Sequence, residues 1–167
     1  MGAVGINLED TDPETNQLIA INNQADKIRA IRKLATKNNL PLFINARTDI
    51  YWSSNIPLDK RYEETLHRLI AYKDAGADGL FVPGLTDVRL IAKLGSITNL
   101  PINVLGGSWI TSIESLKNTG VARVSIGSGI FRAEANYTLL VYRQFSRGDF
   151  SFLKNIISYD AINDLYK

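Results

Sequence analysis

The chain contains no cysteine among its 167 residues, one histidine, and no apolar stretch long enough to span a bilayer. The missing cysteines exclude disulfides, thiolate metal sites and cysteine nucleophiles together. Charge of one sign is also lacking: 19 basic residues face 17 acidic ones, with no polybasic run, so neither nucleic acid nor an anionic membrane is implied as partner. The first ten residues lack the basic start and long apolar core of a signal peptide. A cytoplasmic location is the expectation from these absences. What remains, 45% hydrophobic and 22% charged, is the composition of a globular domain able to bury a core.

Short β-branched runs alternate with helical patterns. Strands are expected at 4–8, 42–46, 79–82, 102–105 and 123–126, each bounded by glycine, proline or polar residues. Helices are expected at 22–38, capped by Asn22 or Asn23 with Asp26 near the positive end, and at 59–75, closed by Gly76. Shorter helices at 88–94 and 113–118 should stop at Gly95 and Gly120. A long amphipathic helix at 131–147 and a tail of one or two short helices at 150–167 complete the pattern.

Strand–helix alternation predicts parallel strands joined by crossovers, and no Gly-x-Gly-x-x-Gly turn follows the first strand to suggest a dinucleotide site. The strands share polar or glycine-containing C-terminal ends: Glu9-Asp10, Arg47-Thr48-Asp49, Pro83-Gly84, Gly106-Gly107 and Gly127-Ser128-Gly129. Active sites gather at that end in β/α barrels, which need eight units and about 250 residues. The fold class is therefore α/β: a parallel β/α barrel of TIM type, incomplete, with the missing units expected before Met1. Residues 1–148 would form the partial barrel and 149–167 a helical tail, and the open edges of an incomplete barrel would favour association into a homo-oligomer.

Period-two geometry puts Asn7 and Glu9 on one face of the first strand, and Asn45 and Arg47 on one face of the second, with Phe43 deeper. Neighbouring strands then bring an acid and a guanidinium to one mouth. Arg47 suits a carboxylate or phosphate, which its planar fork grips in bidentate fashion. Glu9 suits Mg²⁺, a hard cation satisfied by few carboxylates plus water and substrate. The alternative is a Glu9–Arg47 salt bridge that only plugs the barrel end. Asp10 and Asp49 follow the strands directly and could cap turns, more so Asp49.

The ordered motifs Gly5-Ile6-Asn7-Leu8-Glu9-Asp10, Asn45-Ala46-Arg47-Thr48-Asp49 and the run from Ala75 through Gly76-Ala77-Asp78-Gly79 to Gly84 resemble the isocitrate lyase/phosphoenolpyruvate mutase superfamily. Pro101-Ile102-Asn103-Val104 and Gly120 to Gly127 continue the resemblance in order, so it covers nearly all of the chain. It is nearest the phosphoenolpyruvate phosphonomutase-like, or carboxyvinyl-carboxyphosphonate phosphorylmutase-like, branch. The chain would then hold about strands 4 to 8. The resemblance implies Mg²⁺- or Mn²⁺-dependent chemistry on small 2-oxo or enol carboxylates through an enolate-like species: lyase, decarboxylase or mutase. Glu9 matches the acid after strand 4 that helps hold the metal, often through water, with Asp10 a weaker metal candidate. Arg47 matches the substrate-binding arginine of strand 5, and Asn45 is its candidate polar neighbour in catalysis and binding. Residues 11–20 fall where the family has a gating loop.

The departures narrow the chemistry. The lyase loop with its acid/base cysteine is absent, which sets a true isocitrate or methylisocitrate lyase aside. Glu14 in Pro13-Glu14-Thr15-Asn16-Gln17 stands where phosphonate-forming mutases carry lysine, and Phe81-Val82-Pro83-Gly84 lacks the mutase histidine. The family's Asp-x-Asp pair of strand 3 is not in this chain, and Asp10 with Asp12 has the spacing but not the place. A rival reading takes Gly106-Gly107 and Gly127-Ser128-Gly129 as a phosphosugar site, with Gly106 touching substrate; tight turns would use the same glycines. A third reading is a non-catalytic remnant that associates through open sheet edges. His67, among Glu63, Glu64 and Arg68, belongs on a solvated helix face. Tyr51, Trp52 and Trp109 could wall the mouth or simply pack.

Overall fold

The computed structural model describes residues 2–53, 55–110 and 112–167. They divide into two compact units, Met1–Ile126 and Gly127–Lys167.

The first unit is a parallel sheet of five strands: β1 (Gly5–Glu9), β2 (Phe43–Arg47), β3 (Gly79–Phe81), β4 (Ile102–Leu105) and β5 (Val121–Ser125). Its spatial order is the sequence order, with β1 and β5 at the edges. Three helices connect the first four strands: α1 (Ile21–Lys37), α2 (Arg61–Asp74) and α3 (Val88–Thr98). This is the strand order of a β/α barrel, present as an open part of one.

The two sheet faces differ in chemistry. Ile44, Ala46, Leu80, Val82, Ile102 and Val104 alternate onto one face and pack in a single buried cluster with Ile28, Leu69, Tyr72, Ile91 and Leu94 of the helices. Period-two alternation sends their neighbours to the opposite face: Asn7, Glu9, Asn45, Arg47, Phe81, Asn103, Arg123 and Ser125. Register ties these into rows, pairing Asn7 with Asn45, Glu9 with Arg47, Arg47 with Phe81, and Asn103 with both Phe81 and Arg123. The polar side chains thus gather on the face opposite the helices, where Asn45 and Asn103 are buried and Glu9 and Arg47 reach the rim.

Several boundaries differ from the sequence expectation for identifiable reasons. Helix α1 starts at Ile21 after Ala20, whose side chain cannot cap, and the Gln24 backbone amide donates to the Ala20 carbonyl at 3.1 Å as its first turn. Asn22 and Asn23 therefore lie inside the first turn, and Asp26 pairs with Arg29 instead of serving the helix start. Helix α3 runs through Gly95 and ends at left-handed Asn99, whose amide donates to the Gly95 carbonyl at 2.9 Å. Gly95 is needed for close packing: a Cβ there would meet the Thr119 carbonyl oxygen at 3.3 Å. Strand β5 begins two residues earlier than expected, and the helix expected at 113–118 is a 3₁₀ turn at Ile113–Leu116.

The second unit holds α4 (Gly129–Phe145), a 3₁₀ turn (Ser151–Asn155) and α5 (Tyr159–Asp164). Phe145 meets Phe150 edge-on at 5.6 Å, and Phe150 stacks with Phe152. None of the residues in α4 or α5 is buried. Among the described residues no helix is long and apolar enough to cross a membrane.

Candidate active site

Glu9 and Arg47 close adjacent parallel strands in register, so their side chains emerge side by side at the C-terminal rim. Arg47 Nη1 lies 2.9 Å from Glu9 Oε2. The opposite edge of the same guanidinium forms a fork with Asp49: Nε donates to Oδ1 at 2.7 Å and Nη2 to Oδ2 at 3.0 Å. The guanidinium also lies 5.0 Å from the Trp52 ring centroid and 5.6 Å from that of Phe81, within cation–π range of both. The two carboxylates are not equivalent. The Glu9 side chain is 49% exposed and that of Asp49 only 10%.

Asp49 does not use its side chain as a turn cap. Its Oδ2 also accepts from the Thr11 hydroxyl at 2.9 Å, and its backbone amide donates to Asp10 Oδ1 at 3.0 Å. Asp10 is fully buried, and its Oδ2 accepts from Arg68 Nη1 at 3.0 Å and the Tyr72 hydroxyl at 2.7 Å. Both Asp10 oxygens therefore face protein donors, and the carboxylate anchors β1 to β2 and α2. Burial, followed by the nearby Asp10 charge, pushes the Tyr72 hydroxyl far above its ordinary range, so it stays a proton donor. Burial opposes the Arg68 charge, but Tyr72 and Asp10 outweigh it and raise its pKa. Arg68 thus points inward, unlike the exposed His67 beside it.

The loops after the strands are knit around this pair. Residues 11–18 fold back as a hairpin bridged between Thr11 and Leu18. Asp12 holds its turn, accepting from the Glu14 and Thr15 amides; these bonds, Thr15 first, keep its carboxyl below the usual range. Gln17 Oε1 accepts from Asn55 Nδ2 at 2.8 Å, tying the hairpin to the β2–α2 loop. Arg61 braces that loop by donating to the carbonyls of Tyr51, Ser53 and Ile56. Trp52, half-exposed, walls the mouth and abuts Gly84, where a Cβ would stand 2.9 Å from the indole nitrogen. A cleft of about 220 Å³ lies among Thr11, Asn16, Leu18, Asp49, Trp52 and Ser53.

Asn45 sits one tier deeper and is nearly inaccessible; its Nδ2 donates to Asn7 Oδ1 at 2.7 Å. Arg123 Nη2 donates to the same oxygen at 3.0 Å. A second cleft of about 240 Å³ runs past Phe43, Asn45, Asn103 and Arg123. Gly106 directs its amide to the Ser125 carbonyl at 2.7 Å, and a Cβ there would meet Val124 Cγ1 at 3.1 Å. Its glycine character thus serves the β4–β5 approach. Trp109 likewise packs locally, donating to the Leu105 carbonyl at 3.1 Å. Sequence reasoning missed the Asp49 fork and the Arg68–Tyr72 anchor.

The expected Mg²⁺ can be tested against the donor set. Among the described residues no group of three His, Cys, Asp or Glu side chains could hold a metal ion. Asp10 and Asp49 are engaged by protein donors, which leaves Glu9 as the rim carboxylate with accessible oxygens. One carboxylate falls short of the about six oxygens that Mg²⁺ takes, so water and substrate oxygens would have to supply the rest. The described residues alone do not fit the metal.

Comparison with known proteins gives concordant results. A family model described as phosphoenolpyruvate phosphomutase matches residues 1–145. An uncharacterized protein of Mycobacterium tuberculosis (strain CDC 1551 / Oshkosh) is 39% identical over 128 residues, 77% of this chain and 46% of the relative. Oxaloacetate decarboxylase 2 of Pseudomonas fluorescens (strain Pf0-1) is 25% identical across 99% of this chain and 58% of its own length. A crystal structure assigned as a lyase/mutase of Burkholderia cenocepacia J2315 superimposes with a TM-score of 0.88 at 31% identity, covering 99% of this chain and 59% of that one. The chain spans about half the length of the curated relatives it matches.

Proposed function

This chain belongs to the phosphoenolpyruvate phosphomutase family, and from that premise we propose that its rim binds the carboxylate of a small 2-oxo or enol acid on Arg47. The observation that carries this reading is the asymmetry around one guanidinium. Asp49 holds the Nε/Nη2 edge in a nearly buried fork, whereas the Nη1 side meets a half-exposed Glu9. An arriving carboxylate can replace Glu9 there and keep a charge-assisted bond to the arginine. Trp52 and Phe81 flank the guanidinium and limit water around it.

The reaction proposed is cleavage, decarboxylation or rearrangement through an enolate-like species, with Arg47 as the fixed cation that stabilises developing negative charge. Oxaloacetate, which appears in the name of the Pseudomonas fluorescens relative, is the first acid to assay. Asn45 is proposed as the polar floor below the carboxylate, and Gly106 as a shape-setting residue outside it. Glu9 is the residue that would face Mg²⁺ or Mn²⁺, with the remaining ligands coming from outside the described residues. A phosphosugar reading loses its Gly106 donor to Ser125.

Replacing Glu9 tests the site directly. In metal-free buffer Glu9→Gln should bind oxalate roughly two- to fivefold more tightly by calorimetry, since a half-exposed ion pair contributes about 0–1 kcal/mol. Weaker binding in this variant would instead make Glu9 part of the oxalate contact.

The proposed partner beyond the substrate is a second copy of the chain. The second unit leaves Phe131, Leu139, Tyr142, Ile156, Ile157 and Tyr166 exposed, a surface that association would cover. Deleting residues 150–167 should lower the oligomeric state seen by light scattering; an unchanged state would remove the tail from the interface.

A further inference from the structure

We infer that Asp49 is a positioning residue that dedicates one edge of Arg47 to the protein and links that arginine to the 11–18 hairpin. The inference rests on the carboxylate-binding reading of Arg47 and extends it to a residue that touches no substrate.

An arginine side chain has four rotatable bonds and no preferred aim on an open strand end. Here a two-point fork, 2.7 Å from Nε and 3.0 Å from Nη2, fixes the guanidinium plane. The clamp is itself held from three directions. The Asp49 amide is tied to buried Asp10, its carbonyl accepts from the amides of Trp52 and Ser53 at 2.9 and 3.0 Å, and its Oδ2 takes the Thr11 hydroxyl. With Nε and one Nη2 hydrogen engaged, the donors left for a ligand at the rim are the two Nη1 hydrogens, where Glu9 stands, and the second Nη2 hydrogen beside them. Asp49 therefore chooses the edge on which a carboxylate lands.

The same Oδ2 serves both Arg47 and Thr11, so the arginine and the hairpin share one acceptor. A ligand that withdraws charge from the guanidinium weakens its hold on Asp49 and strengthens the competing Thr11 bond. Carboxylate binding should then tighten the hairpin, whose other tie is the exposed Gln17–Asn55 bond. Asparagine at 49 would break the clamp, because its amide group presents N–H to a guanidinium that needs two acceptors.

The test measures oxalate affinity by calorimetry and backbone hydrogen exchange of the 11–18 hairpin in the full chain. Wild type should bind oxalate and gain hairpin protection on binding. Asp49→Asn should lose affinity roughly tenfold or more, as expected when a charge-assisted contact that aims the binding group is removed, and Asp49→Glu should recover part of it. Thr11→Val, which leaves the fork intact, should keep the affinity within about twofold but lose the oxalate-induced protection. Folded Asp49→Asn with wild-type affinity would overturn the positioning role, as would Thr11→Val retaining full oxalate-induced protection. If Asp49→Asn does not fold, Asp49→Glu and Thr11→Val decide. Absence of oxalate binding in wild type sinks the Arg47 reading and this inference together, whereas binding lost in Arg47→Ala but kept in Asp49→Asn sinks this inference alone.

Discussion

Arg47→Ala is expected to abolish the rise in melting temperature that oxalate gives the wild-type chain. A ligand at a hundredfold its Kd stabilises the folded state by about 2.7 kcal/mol. For a domain of this size that corresponds to about 5–10 °C. Removing the guanidinium takes away the charge-assisted donor and leaves Glu9 and Asp49 facing the ligand with uncompensated negative charge. The free variant will also melt lower, because the nearly buried Asp49 carboxylate loses both bonds of its fork. The informative quantity is therefore the oxalate-dependent shift and not the melting temperature itself. Arg47→Lys separates charge from shape: it keeps the cation but cannot make the fork, so most of the shift should still be lost. A full shift in Arg47→Ala would move the anion site elsewhere.

Asp10→Ala is expected to cause the largest loss of stability of any rim substitution. The carboxylate is fully buried and accepts from Arg68, Tyr72 and the Asp49 amide. Its removal leaves the Arg68 guanidinium, 7% exposed at the side chain, without its buried counter-ion. Breaking such a pair from one side costs about 3–5 kcal/mol. Urea denaturation of Asp10→Ala should show that loss, and Asp10→Ala combined with Arg68→Met should be less damaging than the two single changes added together. Arg68 also donates to the Ile19 carbonyl at 2.8 Å, so part of the penalty belongs to the end of the hairpin loop. A loss below about 1 kcal/mol would mean the interior at Asp10 readily admits water.

The fold was largely legible because parallel β/α units advertise themselves. Five short apolar runs, each ended by glycine or polar residues, correspond to the five strands, and period two alone places Glu9 beside Arg47. The boundaries that differ do so for separate reasons, one distant in the chain and one local. Gly95 reads as a stop, yet α3 passes through it because the 119–120 backbone approaches closely there. Asn22 and Asn23 read as caps, but the first turn is already wound from Ala20.

The site was legible in its outline and not in its wiring. Asp49 follows Arg47 by two residues, a spacing that suits a turn cap as well as a fork, and only the fold decides between them. Arg68 sits beside exposed His67 and four residues after Glu64, which reads as a solvated face. It turns inward because Asp10, 58 residues earlier, needs a cation. No local pattern reports a contact over that separation. Asp10, the weaker metal candidate, has the right chemistry for a cation, but three protein donors already occupy it.

The central claim is that Arg47 receives a small carboxylate on the Nη1 side while Asp49 keeps the other edge. A crystal structure of the chain with oxalate tests this most directly. An oxalate oxygen is expected about 2.7–2.9 Å from Arg47 Nη1, with Glu9 displaced from that position and the Asp49 fork still in place. Oxalate bound at a distance from Arg47, with the Glu9 ion pair intact, would contradict it.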